Sequence, residues 1–213
     1  MGNRTCSTVL ITRHAEGQHL IPNSKFSQLS GPSLTTEGER QAYKRVVRQL
    51  VEKYNISPDV ILVSPQLRAL QTAFYARKNE RKLPNGKTLF DIPIDVLPLA
   101  YEQTRSLDGQ GNIIPDISKP FKGKKMIKEN DKPLWKAIMK NLPRNQPKMD
   151  GITSKPRANL INNLILEKYP NKILLLICHD GIARDMQSVG MGKRVENTYG
   201  LAEIRMFKLC YGS

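Results

Sequence analysis

Three short apolar runs, each cut off by a polar or charged residue, constrain this chain most. They are Val9-Leu10-Ile11, Val60-Ile61-Leu62-Val63 and Ile173-Leu174-Leu175-Leu176-Ile177-Cys178. Runs this short and rich in β-branched residues predict buried strands. The first stops at Arg13-His14, the second at Ser64-Pro65 and the third at His179-Asp180-Gly181. Stretches with helical spacing separate them. Alternation of this kind predicts a three-layer α/β/α sandwich with a mainly parallel central sheet. In such sheets ligands bind beyond the C-terminal ends of the strands, where Arg13, His14 and His179 fall.

The rest of the chain fits this frame. Thr36 with Glu39 three residues on reads as a capping box, opening a helix to about Tyr54 with Ala42, Val46, Val47, Leu50 and Val51 inward. Ser64-Pro65 reads as an N-cap followed by the first helical residue, which places Arg68 near a helix N-terminus. Residues 93–97 predict a third strand, with Glu102 just beyond it. Leu160, Ile161, Leu164 and Ile165 mark a helix from Pro156 to Tyr169. A further helix from Ile182 to about Val189 precedes a last strand from Leu201 to Leu209. With 213 residues the chain is most simply one domain, 1–213. Residues 103–150 interrupt it as an irregular basic insert, with one short helix around Leu134–Leu142. From Lys119 to Lys148 this insert has ten Lys or Arg against Glu129 and Asp131.

The residue types at the strand tips suit one chemistry. A neutral imidazole attacks phosphorus and holds the phosphoryl group covalently. A neighbouring guanidinium clamps the phosphate oxygens bidentately. A helix N-terminus carrying Ser64 and Arg68 favours an anion. Glu102 adds a carboxylate to the same region if its strand runs parallel; otherwise it is a solvated loop residue.

The net charge of +15 points to acidic partners, whether phosphorylated substrates, nucleic acid or an anionic surface. Aromatic residues seldom interleave with the basic ones, which argues against nucleic acid. No apolar run approaches a membrane span, and the first strand starts too early to leave room for a signal peptide. Met1-Gly2 resembles the start of a myristoylation signal, but Cys6 stands where Ser or Thr is required. Three cysteines, Cys6, Cys178 and Cys210, lie far apart in sequence, Cys178 as a buried inert thiol. A reducing, cytoplasmic setting fits them best. No cysteine pair has metal-ligand spacing with the histidines.

Four segments together resemble the histidine phosphatase superfamily, also called phosphoglycerate-mutase-like: Arg13-His14-Ala15-Glu16-Gly17, Leu34-Thr35-Thr36-Glu37-Gly38, Ser64 through Ala73, and His179-Asp180-Gly181. The resemblance implies a phosphoglycerate-mutase-like fold and a phosphomonoesterase. His14 would be the nucleophile. Arg13, Arg68, His179 and Gly181 would bind the phosphoryl group. Glu102 would be the general acid and then the base, with no metal or cofactor. Asp180 is an alternative acid, as in the superfamily's acid-phosphatase branch. The family usually has Asn where Leu20 stands, so Asn23 or Ser24 is the candidate substitute. The interval from Gln18 to Ser33 has neither Trp nor Glu, which favours hydrolysis over mutase activity. A weakly active or inactive phosphate- or nucleic-acid-binding descendant is the alternative. The basic 119–148 segment suits a polyanionic small molecule or a phosphoprotein.

Overall fold

A computed structural model describes residues 5–22, 32–102 and 154–211. Asn23, Ser24, the 103–150 insert and its short helix lie outside the described residues.

Five strands form one sheet: β1 (Cys6–Arg13), β2 (Val60–Val63), β3 (Ile94–Val96), β4 (Ile173–Cys178) and β5 (Ile204–Cys210). Their order is β3-β2-β4-β1-β5. The most apolar run, β4, is therefore central. It pairs in parallel with β1 and β2, β2 pairs in parallel with β3, and β5 alone is antiparallel, against β1. Successive side chains alternate between the sheet's faces. Leu10, Ile61, Leu175 and Ile177 pack under α1 (Thr36–Arg48) and α2 (Leu67–Arg77). Val9, Ile11, Leu174 and Leu176 pack under α3 (Ser154–Lys168) and α4 (Asp180–Met191). The architecture is the expected α/β sandwich.

Several local expectations give way to tertiary contacts. The cap of α1 is Thr35 rather than Thr36; its hydroxyl accepts from the Gly38 N–H. After Arg48 the helix widens into a π segment, Gln49–Lys53, and ends at Tyr54. Gln49 there donates to the Ala202 carbonyl at 2.7 Å and accepts from the Ile204 N–H at 2.9 Å, tying down the start of β5. Ser64 is not the N-cap of α2, which starts after Gln66; its hydroxyl is hydrogen-bonded to His179 at 2.9 Å and accepts from the Gln66 N–H at 3.3 Å. Leu160 is 47% exposed rather than inward; Ala158, Ile161 and Ile165 form the buried stripe of α3.

The cysteine expectation is also corrected. The antiparallel pairing of β1 with β5 sets Cys6 opposite Cys210, and the two form a disulfide. This removes the cysteine argument for a reducing, cytoplasmic setting. Cys178 is free and buried. Among the described residues no helix is long and apolar enough to cross a membrane.

Candidate active site

The sheet register sets the site. Arg13 pairs with Cys178, and Val63 with Ile177. The ladder continues one step beyond the strands. His14 N–H donates to the Cys178 carbonyl at 2.8 Å, and Ser64 N–H to the Ile177 carbonyl at 2.9 Å. Three adjacent parallel strands thus end level with one another. The N-termini of α2 and α4 start directly after two of them.

His14 is 1% exposed at this edge. Its Nδ1 lies 2.6 Å from the Ala15 carbonyl, which can only accept, so Nδ1 carries the proton. Its Nε2 accepts from the Arg68 Nε–H at 3.0 Å. The imidazole is thereby held as the neutral tautomer, with its lone pair on Nε2 turned to the Arg68 N–H. Burial, reinforced by the Arg68 charge, pushes its pKa well below the usual value. Arg68, 3% exposed, also donates to the Gln66 amide oxygen at 3.2 Å. Burial lowers its pKa to about 10, partly countered by Glu102, so it stays charged at neutral pH. Thr72 locks the two together: its hydroxyl donates to the Arg68 carbonyl at 2.7 Å and accepts from the Ala15 N–H at 3.0 Å.

His179 is fully buried, with Nε2 2.9 Å from the Ser64 hydroxyl. Its ring centroid lies 5.2 Å from that of His14. Burial and the nearby Arg68 charge hold it neutral. Its 3.9 Å approach to the Glu102 carboxylate is therefore no ion pair. Arg13 donates to the Tyr199 carbonyl at 3.3 Å, while its Nε is buried without a partner.

Glu102 arrives from beyond β3. Its N–H donates to the same Gln66 amide oxygen that Arg68 uses, at 2.9 Å. Burial raises its pKa; Arg68 opposes this and Asp180 adds to it. A Cβ on residue 181 would come within 3.0 Å of the Glu102 Oε1, so Gly181 leaves space for that carboxylate. Asp180 is otherwise engaged. Its Oδ1 accepts from the Tyr199 N–H at 2.7 Å and its Oδ2 from Arg184 at 3.1 Å.

The fold thus gathers Arg13, His14, Arg68, Glu102, His179 and Gly181 at one edge, with Asp180 behind them. Leu20 is 38% exposed. Two further residues escaped the sequence reading. Arg157 of α3 is fully buried. It donates to the carbonyls of Tyr101 at 2.7 Å and Leu99 at 3.3 Å, and lies 4.1 Å from the Tyr101 ring centroid. It holds the turn that delivers Glu102, and its partners are backbone atoms without a sequence signature. His19 has its ring centroid 5.5 Å from that of His14; a third histidine just after the Arg-His pair was the available signal. Among the described residues no cluster of His, Cys, Asp or Glu could hold a metal ion.

The edge of this mainly parallel sheet carries neutral imidazoles among guanidiniums, an arrangement whose chemistry suits an anion. Residues 9–86 match the family model described as histidine phosphatase superfamily (branch 1). No curated protein sequence matches the chain. Among solved structures, the phosphoserine phosphatase of Entamoeba histolytica, in complex with 3-phosphoglyceric acid, is 18% identical. Its TM-score is 0.54, over 97% of this chain and 95% of its own. The alpha-ribazole phosphatase of Shigella flexneri is 16% identical, with a TM-score of 0.56 over 95% of this chain and 94% of its own. YhfR of Bacillus stearothermophilus is 16% identical, with a TM-score of 0.55 over 94% of this chain and 90% of its own. At these identities the likeness concerns the fold.

Proposed function

We propose that this protein is a phosphomonoester phosphatase that works through a phosphohistidine on His14. The observation that carries the reading is the pair of bonds on the His14 ring. Nδ1–H donates a hydrogen bond to the Ala15 carbonyl, and Nε2 accepts one from the Arg68 Nε–H at 3.0 Å. The Nε2 lone pair is thus unprotonated at neutral pH and held by the Arg68 N–H, which an incoming phosphate would draw to itself.

In the first step Nε2 of His14 attacks phosphorus and the ester P–O bond breaks. Glu102, whose raised pKa favours the protonated form, gives its proton to the leaving oxygen. Arg13, Arg68 and His179 stabilise the charge on the transferring group. In the second step the Glu102 carboxylate takes a proton from water, which attacks phosphorus. The P–N bond breaks and inorganic phosphate leaves. Glu102 suits the acid role better than Asp180, because both Asp180 oxygens already accept hydrogen bonds. We read residues 1–213 as one catalytic domain whose basic 119–148 segment grips polyanionic substrates.

The test is hydrolysis of an aryl phosphate from pH 5 to 8 by wild type, His14→Ala and Glu102→Ala, with an alkaline denaturing quench, under which a P–N bond survives, to trap the phosphoenzyme. Activity and trapped phosphate that vanish in His14→Ala support the reading. Wild-type turnover no higher than that of His14→Ala refutes it and leaves a phosphate-binding protein. Replacing Lys122, Lys124, Lys125 and Lys128 by Ala should weaken polyphosphorylated substrates more than the aryl phosphate; equal effects remove the polyanion reading.

A further inference from the structure

The mechanism above leaves one imidazole beside the nucleophile without a task. A Cβ at position 17 would come within 2.7 Å of His19 Cε1 and Nδ1 and within 3.5 Å of Arg68 Cδ. The His19 ring therefore lies over the Gly17 backbone, in space open only because residue 17 has no side chain. It lies beside the same Arg68 side chain whose Nε reaches His14 Nε2. His14 is flanked by His19 at 5.5 Å on one contact and His179 at 5.2 Å on the other, with similar ring tilts of 53° and 58°.

The His19 Nδ1 is buried without a hydrogen-bond partner, as are Arg13 Nε and His179 Nδ1 in the same cluster. Buried polar atoms are rarely left unpaired. Three around one nucleophile mark a place made for a polar guest. We propose that His19 is a ligand of the substrate's phosphoryl group, supplying the polar contact that Leu20 cannot. The proposal rests on the phosphatase reading and adds a residue to it.

The charges around His19 give the proposal a readable consequence. Facing it are Arg68 of α2, and Arg13 and His14 at the tip of β1; His179 at the tip of β4 also senses it. Burial and the two guanidiniums lower its pKa to about 4, so it is neutral at neutral pH. A dianionic phosphate reverses the local field and favours the imidazolium. Phosphate binding near pH 5.5 should therefore take up protons through His19.

The experiment is calorimetric titration of inorganic phosphate into wild type, His19→Ala and His19→Gln at pH 5.5 and 7.5, each in two buffers of different ionisation heat. The aryl phosphate KM is measured alongside. The expected result is binding weaker by about tenfold in His19→Ala, a smaller loss in His19→Gln, and reduced proton uptake in both. The Gln variant carries the test should the Ala variant fail to fold. Unchanged affinity and proton uptake overturn the proposal. Wild type that binds phosphate through His19 without turnover sinks the phosphatase reading alone. Turnover with an unchanged KM in His19→Ala sinks the His19 role alone. Wild type that does not bind phosphate at all removes both.

Discussion

Gly38 lies against the backbone of Glu16 so closely that a Cβ there would come within 2.0 Å of the Glu16 carbonyl oxygen. Around this contact Thr35 gives its N–H to the Glu16 carbonyl at 2.9 Å and its hydroxyl to Glu16 Oε1 at 2.7 Å. Gln41 accepts the Glu16 N–H at 3.1 Å. The Leu34–Gly38 segment is thus a brace on the loop that follows His14. Gly38→Ala forces backbone apart and should cost roughly 2 kcal/mol or more of stability, read as a lower urea midpoint, together with weakened phosphate binding.

Gly181 answers to Glu102 in a milder way. The 3.0 Å gap to Oε1 is tight for a methyl group, and the carboxylate can shift to admit it. Gly181→Ala should leave the thermal midpoint within a few degrees while lowering kcat about tenfold or more, because general acids act only within hydrogen-bond reach. Steady-state kinetics beside a thermal melt checks this; an unchanged kcat would mean the carboxylate position does not matter.

Arg157 is expected to reveal itself in a pH profile. Arg68, Arg13 and Arg157 draw the Glu102 pKa down against burial and Asp180. Removing the Arg157 charge should raise that pKa and move the alkaline limb of kcat/KM to higher pH. Arg157→Met should show this displacement with a lower rate; Arg157→Lys should restore the limb but less of the rate. A loss of rate with no displaced limb would make Arg157 a packing residue only.

Stability should follow the three neutral imidazoles. His14 and His179 lie well below the usual value and His19 at about 4. The unfolded chain binds more protons than the folded one as pH drops below about 6.5. Their contribution is complete above that pH and is lost on acidification. Glu102, with a raised pKa, opposes them: it favours the folded state at low pH and loses that effect as pH rises through its folded value. Three groups against one predict a falling thermal midpoint from pH 7 to pH 5. Saturating phosphate should flatten the fall, and His19→Gln should make it shallower.

What was legible in the chain is what local chemistry decides. Apolar runs marked the strands, and their abrupt ends marked His14, Ser64 and His179, because a parallel sheet buries both faces and leaves only its tips for polar groups. What was illegible depends on distant partners. Choosing Thr35 over Thr36 as a cap needs the contact of Gly38 with Glu16. The Ser64 hydroxyl bonds a His179 ring that lies more than a hundred residues further along the chain. Arg157 serves carbonyls more than fifty residues earlier in the chain. Cys6 and Cys210 meet only because β5 runs back along β1.

That last pairing makes the chain a ring. Every strand and helix described above lies on or between the two joined cysteines. One peptide bond cut anywhere in that interval leaves a single covalent molecule until the bridge is reduced. A nicked protein would run as one species on a non-reducing gel and as two fragments on a reducing one.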